Sequence, residues 1–316
     1  MGMNYQKKAI EIMDNVSKVI VGKEDVTKLV LTSLIAGGHV LLEDVPGTGK
    51  TMLAKTVAKS VDAQFSRIQF TPDLLPSDVT GINYYNQKAG EFVFRRGPVF
   101  SNILLADEIN RATPRTQSSL LESMEEHQAT IDGVTMELPD PFFVIATQNP
   151  VESSGTFPLP EAQLDRFIMQ IPMGYPNREG EREILHRFAA DNPLLTLESV
   201  CTKEELAAMQ KQCEEVYAAP VIEDYILDLV EATRKHNNIA LGVSPRGALG
   251  FLRAAKCYSA LKGEHFVTPE TVKYLAPFVL SHRLILEDVY STNKKAADYI
   301  EEITHFVTAP TEDFAK

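Results

Sequence analysis

Glu43-Asp44-Val45-Pro46-Gly47-Thr48-Gly49-Lys50-Thr51 stands between the apolar run Val40-Leu41-Leu42 and a helical pattern over 50–60, and its reading decides the fold. A short apolar run bounded by turn residues suits a buried parallel strand. A glycine-rich turn that ends in Gly-Lys-Thr and opens a helix is the P-loop arrangement, in which backbone amides and the helix N-terminus cradle phosphate. Gly47 and Gly49 let the backbone approach an anion without a Cβ in the way. Lys50 would contact the β and γ phosphates, and Thr51 would offer its hydroxyl to magnesium. The expected cradle is Pro46, Gly47, Thr48, Gly49, Lys50, Thr51 and Met52. Asp44 occupies the usual first glycine position; Asp tolerates left-handed φ, so an adapted loop is expected. A glycine turn without a ligand is the competing reading, and Gly-Lys-Thr placed between strand and helix weighs against it.

Two further apolar runs, Ile103-Leu104-Leu105-Ala106 and Phe142-Phe143-Val144-Ile145-Ala146, end in polar residues like strands that deliver loops at their carboxyl ends. With helical patterns between them, as over 116–126, they predict a doubly wound α/β parallel sheet flanked by helices, its ligand beyond the strand C-termini. Asp107-Glu108 closes the first run. Asp107 would hold magnesium and Glu108 would orient or deprotonate the attacking water. A strand ending in Asp-Glu is weak evidence alone and strong behind a P-loop. Ala146-Thr147-Gln148-Asn149 closes the second, and Asn149 is the expected holder of that water; a turn-forming Asn before Pro150 is the alternative. Hairpins are expected over 82–95, turning near Lys88-Ala89-Gly90, and over 129–138, turning at Asp132-Gly133.

At the amino end, Ile10, Met13, Val16 and Ile20 recur at helical spacing, and a second helix is expected over 24–36. After Pro176 the pattern turns to helices only. Thr202-Lys203-Glu204-Glu205 reads as a capping box, Ser244-Pro245 and Thr268-Pro269 as helix starts, and Gly263 as a helix end. A boundary near Pro176 therefore divides an α/β core, residues 1–176, from a smaller all-α domain, 177–316. The length of 316 residues fits two domains at roughly one to two hundred residues each.

Composition narrows the function. A net charge of −12 repels phosphodiester backbones and weighs against a large nucleic-acid face. No apolar run approaches the roughly 18 residues of a membrane span, and 1–6 lack a signal-peptide stretch. Neither a membrane anchor nor a transition metal is expected. Cys201, Cys213 and Cys257 are odd in number and far apart, which predicts small apolar core residues and a reduced, cytoplasmic compartment.

Phosphoryl transfer builds negative charge that a late-arriving cation stabilises. Arg166, in Leu159-Pro160-Glu161-Ala162-Gln163-Leu164-Asp165-Arg166-Phe167, is expected to act in trans on a neighbour's nucleotide. Arg246, at a helix start in the second domain, is expected to act in cis. Surface charge or ion pairing is the commoner fate of an arginine.

These residues resemble the AAA+ superfamily, and more narrowly the MoxR family of AAA+ ATPases in its helix-2-insert branch, across nearly the whole chain. The resemblance rests on 41–47, Arg67-Ile68-Gln69-Phe70-Thr71-Pro72-Asp73-Leu74-Leu75-Pro76-Ser77-Asp78, Asp107-Glu108-Ile109-Asn110-Arg111-Ala112, 146–150 and 161–167. It implies that Asn149 is sensor 1, Arg166 the arginine finger and Arg246 sensor 2, and that Val21 and Gly22 lie near the adenine. It also implies a helical lid after the core, with 82–95 as the helix-2 insert. Magnesium-dependent ATP hydrolysis is the implied activity, in a homo-oligomer, a hexameric ring, that remodels or matures a protein client carrying a von Willebrand factor A domain. An ATP-controlled assembly scaffold with little turnover, a nucleic-acid motor touching phosphate through Lys88, Arg95 and Arg96, and a metal-chelatase motor subunit remain open on sequence.

Overall fold

The computed structural model describes residues 5–43, 47–148, 155–190, 192–287 and 294–311. Helices α1 (Tyr5–Ser17) and α2 (Glu24–Ile35) lead into strand β1 (His39–Glu43), and α3 (Lys50–Ser60) follows the glycine loop. Then come β2 (Phe65–Gln69), α4 (Pro76–Thr80), the hairpin β3 (Gly81–Asn86) and β4 (Glu91–Arg96), β5 (Ile103–Asp107) and α5 (Pro114–Glu126). A second hairpin, β6 (Gln128–Ile131) and β7 (Val134–Glu137), precedes β8 (Phe143–Gln148), α6 (Glu161–Leu164) and β9 (Phe167–Pro172). The remainder comprises α7 (Arg178–Ala190), α8 (Pro193–Thr196), α9 (Lys203–Glu214), α10 (Pro220–Lys235), β10 (Ile239–Leu241), α11 (Pro245–Lys262), α12 (Pro269–Leu280), β11 (Ile285–Leu286) and α13 (Ala296–Phe306).

Five parallel strands pair in the order β2-β5-β8-β1-β9. Alternation along each strand sorts side chains to the two faces of the sheet. Val40 and Leu42, Ile103 and Leu105, Phe143 and Ile145 face a large core shared with α1, α2, α3 and the C-terminal helices. Leu41, Leu104, Ala106, Val144 and Ala146 face a smaller core under α5 and the second hairpin. Each fully buried Leu, Ile or Val contributes about 1.5–3 kcal/mol, and such residues fill half the positions of the three central strands.

The expected helix starts and stops are present. Thr202 and Glu205 form the reciprocal capping box, the Ser244 and Thr268 hydroxyls accept the amides of Gly247 and Thr271, and Gly263 ends α11 at a φ of 79°. Four details differ from the sequence reading. The edge strands β2 and β9 join the sheet although neither is among the buried runs expected from sequence; β2 is interrupted by Ser66, Arg67 and Gln69, whereas β9 is mostly apolar and buried. The first helix forms, but its buried face is Ala9, Ile12 and Val16, while Ile10 is 44% exposed. The C-terminal part is not purely helical, because β10 and β11 pair as a small antiparallel sheet. Cys213 and Cys257, expected as separate core residues, are joined in a disulfide across the buried contact of α9 with α11, with Cα atoms 5.0 Å apart. Only Cys201 is a buried free thiol. A separation of 44 residues conceals a pair that only helix packing brings together.

Candidate active site

The glycine loop leaves β1 at its carboxyl end and enters α3 at Lys50. Gly47 and Gly49 hold φ values of 89° and 95°, and nothing lies within 4 Å of where their Cβ atoms would be. Their requirement is therefore the left-handed backbone and the bare amide surface it creates. Lys50 and Thr51 stand in the first turn of α3, half-buried beside Thr48, and Met52 follows. Asp44, Val45 and Pro46 lie outside the described residues.

A cavity of about 570 Å³ opens over this loop, lined by Val19, Val21, Gly47, Met52 and Phe188 among others. It is largely apolar, as a flat heteroaromatic base requires. Gly22 lies beside Val21 and approaches Pro176. Lys23, 8% exposed, donates from Nζ to the carbonyls of Met173 and Gly174, each at 2.7 Å, and so ties the start of α2 to the segment leaving β9. Below the loop, burial pushes the Glu43 carboxyl up, while hydrogen bonding to Gln148 draws it down; Gln170 also donates to it at 3.0 Å.

Two strands away, β5 ends in Asp107. Thr147, fully buried near the end of β8, donates to Asp107 Oδ1 at 2.7 Å and accepts the Glu108 amide at 2.8 Å. One hydroxyl thus fixes both carboxylate-bearing residues, using its donor and an acceptor position together. Glu108 adopts φ 54° and ψ 50°, a left-handed geometry that costs a side-chain-bearing residue about 1 kcal/mol and is found where function demands it. Its Oε2 accepts from Gln69 Nε2 at 2.7 Å and from Arg111 Nη1 at 2.8 Å, while Arg67 pairs with Asp107 Oδ2 at 2.7 Å. Thr147, Gln69, Arg67 and Arg111 were not among the expected site residues. Arg67 and Gln69 lie on β2, Thr147 on β8 and Arg111 just after β5; their signal was the polar ends of β2 and β8 and the stretches 67–78 and 107–112 that carry the family resemblance. Asn149 lies outside the described residues.

Arg166 and Arg246 come together. Arg166 Nε meets Glu125 Oε2 at 2.8 Å, and Arg246 Nη1 meets Glu125 Oε1 at 2.7 Å. Gly37, Gly38 and His39 line the same depression. These residues lead into β1, whereas the phosphate loop leaves its other end. Five strand residues at about 3.3 Å each separate the two ends by roughly 13 Å or more. Arg246, expected to serve this chain's own nucleotide, thus stands at the end of β1 opposite to this chain's own phosphate loop. Packing of α11 and α12 against α2 and β9 carries the helix start to the amino end of the sheet, beside Arg166.

Comparison with known proteins agrees with this architecture. Residues 39–169 match the family model described as ATPase family associated with various cellular activities (AAA), and residues 231–303 match the AAA lid domain. The protein is thus an AAA-type ATPase core followed by a helical lid. It is 50% identical over 301 residues to the uncharacterized protein YeaC of Bacillus subtilis, covering 95% of this chain and 94% of that one. It is 43% identical over 280 residues to Chaperone MoxR1 of Mycobacterium tuberculosis, covering 86% and 74%. A crystal structure from Cytophaga hutchinsonii superposes with a TM-score of 0.91 at 41% identity, covering 97% of this chain and 96% of that one. The chain belongs to the MoxR family of AAA ATPases. Among the described residues, no helix is long and apolar enough to cross a membrane, and no cluster of three or more His, Cys, Asp or Glu could hold a metal.

Proposed function

We propose that this protein hydrolyses ATP in an assembly of identical subunits, where Arg166 and Arg246 of one subunit complete the site of the next. The observation that carries the reading is their shared partner Glu125, at the end of β1 opposite to the chain's own Lys50. A pair of cations held there faces away from this chain's own phosphate loop, which supports its use on the nucleotide of another copy. In each subunit Gly47 to Met52 bind the phosphates, Val21 and Gly22 border the base, and Lys50 neutralises developing charge on the transferred group. Glu108 orients or deprotonates the attacking water, with Asn149 as sensor 1. Pro46 would complete the cradle.

Magnesium suits the donor set. A threonine hydroxyl at Thr51 and a carboxylate at Asp107 are the sparse hard-oxygen ligands with which magnesium, keeping most of its waters, binds nucleotide phosphates. When bound, the ion neutralises phosphate charge. Thr147 holds Asp107 in position and Glu108 close beside it.

The wider reading is a chaperone-like remodeller, a hexameric ring in the cytoplasm acting on a protein client with a von Willebrand factor A domain. The relative named Chaperone MoxR1 supports the chaperone element. The 1–176 core and the 177–316 lid are the proposed moving parts, meeting near Pro176 at the base pocket. The test is ATP turnover against protein concentration, with magnesium, for wild type, Arg166→Ala and Arg246→Ala. Turnover per subunit should climb with concentration in wild type and fall by about 100-fold in each variant while ATP still binds. Flat turnover per subunit, or unimpaired variants, would remove the trans assignment.

A further inference from the structure

Arg166 and Arg246 stand on different elements, 80 positions apart in sequence, and a buried network joins those elements just behind the two guanidinium groups. Asp165 lies immediately before Arg166, between α6 and β9. Its Oδ2 accepts from the Ser244 hydroxyl at 2.8 Å, and its Oδ1 accepts from Arg283 Nε at 2.7 Å. Ser244 is the cap of α11, whose second residue is Arg246, and its oxygen also accepts the Gly247 amide at 3.1 Å. The carboxylate before one arginine is thereby fastened to the helix start that presents the other.

Arg283 lies beneath both. It is 6% exposed, and its Nη2 donates to the carbonyls of Phe167 at 2.7 Å and Asp165 at 3.3 Å. Its stem runs so close under α11 that a Cβ on Gly247 would come within 2.9 Å of Arg283 Cδ and 2.6 Å of Val243 Cγ1. The first turn of α11 therefore rests directly on the guanidinium stem, and glycine at 247 permits the approach. An ion pair this deep adds little net stability over an apolar pair of equal volume. What it supplies is a fixed register between the elements it joins.

We propose that Asp165 and Arg283 are positioning residues that set Arg166 and Arg246 as one preformed pair for a neighbouring subunit's nucleotide. This rests on the reading that the two arginines act in trans. Neither residue touches nucleotide; both act through the backbone segments that carry the arginines. A displacement of about 1 Å in such a group is enough to lower turnover by about 100-fold. Own-site nucleotide affinity is untouched, because the phosphate loop lies at the other end of the sheet.

The experiment uses the full chain with Asp165→Asn, which keeps the side-chain shape and loses its charge and one acceptor oxygen. Expected are ATP affinity within about threefold of wild type and turnover lower by about 100-fold. Subunit mixing then separates positioning from damage. Glu108→Gln subunits cannot hydrolyse but retain intact arginines, so mixing them with Asp165→Asn subunits should restore turnover at the Asp165→Asn sites. Arg166→Ala mixed with Glu108→Gln is the control for the trans reading. If that control recovers nothing, the trans reading fails and the proposal with it. If the control recovers but the Asp165→Asn mixture does not, or if Asp165→Asn alone turns over like wild type, the positioning role is wrong and the trans reading stands. Should Asp165→Asn fail to fold, Ser244→Ala decides. It cuts the link between Asp165 and α11 together with the cap on the Gly247 amide, and leaves Asp165 paired with Arg283; its turnover should fall by about tenfold and recover in the same mixture, whereas wild-type turnover or no recovery overturns the role.

Discussion

His39 opens β1 at the end of the sheet where the arginines meet, and it makes an acid-sensitive joint. Its ring is 4% exposed; Nδ1 accepts the Val144 amide at 3.1 Å, so Nε2 carries the proton and donates to the Met124 carbonyl at 3.0 Å. Met124 immediately precedes Glu125, which holds both arginines. Burial, helped by His127 and Arg246, pushes the His39 pKa down to about 4, against 6.5 when exposed. Above 6.5 both folded and unfolded chains carry neutral imidazole, and stability is complete. Between 6.5 and about 4 the unfolded chain takes up a proton that the folded chain refuses, so stability declines by about 1.4 kcal/mol per pH unit, or about 2 kcal/mol at pH 5. His282, also buried with its pKa lowered, adds to the same slope, so a variant is needed to isolate His39. His39→Asn keeps an oxygen acceptor for the Val144 amide and cannot titrate. It should be less stable than wild type near pH 7.5 by about 1–2 kcal/mol, having left the Met124 carbonyl without its donor. That deficit should shrink by about 2 kcal/mol near pH 5. Urea unfolding followed by far-ultraviolet circular dichroism measures both differences, the chain having no tryptophan. Equal acid losses in the two proteins would refute the buried neutral ring as the source.

Two other perturbations test the two ends of the sheet. Glu125→Gln removes the carboxylate that competes with a neighbour's phosphate for Arg166 and Arg246. Two partly exposed ion pairs worth together about 1 kcal/mol translate into a half-activating protein concentration about fivefold lower, read from turnover against concentration, and a rise would contradict the competition. Lys23→Met strips the donor from the Met173 and Gly174 carbonyls at the edge of the base pocket. ATP affinity should weaken by about tenfold with little change in saturating turnover, measured by nucleotide titration, and unchanged affinity would show that this tie does not shape the pocket.

The sequence was most readable where one physical demand dominates. Strands buried on both faces read as continuous apolar runs, so β5 and β8 stood out, as did the strand and helix around the glycine loop. The edge strand β2 carries polar residues because one side faces solvent or the active site, and Arg67 and Gln69 are such residues, whereas β9 is mostly apolar and covered by helices. The first helix offered two stripes at helical spacing. The larger residues marked the one through Ile10; Val16 of that stripe is buried and Met13 and Ile20 pack against the core, but Ile10 is exposed and Ala9 and Ile12 are buried as well, since a small residue allows the close packing of α1 against its neighbours. The walls of the site could be named from motifs. What links them could not, because Thr147 reaches Asp107 and Glu108, and Asp165 reaches Ser244 and Arg283, across 39 to 118 positions of sequence. The helix start that presents Arg246 was legible from its cap, whereas the place where it docks was not, for the same reason.

That docking serves two needs at once. The outer edge of β9 would be an open row of hydrogen-bonding groups, and α12 and α11 pack against the strand. The same packing brings the start of α11 to the amino end of β9, where Arg166 already stands. With the helices of the lid there, the base pocket at the other end is bordered by 19–23 and by the segment around Tyr175 to Phe188. Within the described residues each subunit therefore has a phosphate loop at one end of its sheet and a paired cation site at the other. Meanwhile Arg67 and Arg111, with Gln69, occupy the oxygens of Asp107 and Glu108 that magnesium and water would need. On the proposed trans reading, these local partners would yield as a neighbour's arginines arrive. On the proposed reading, a chain arranged in this way would gain its complete set of charges by meeting another copy of itself, with nucleotide between them.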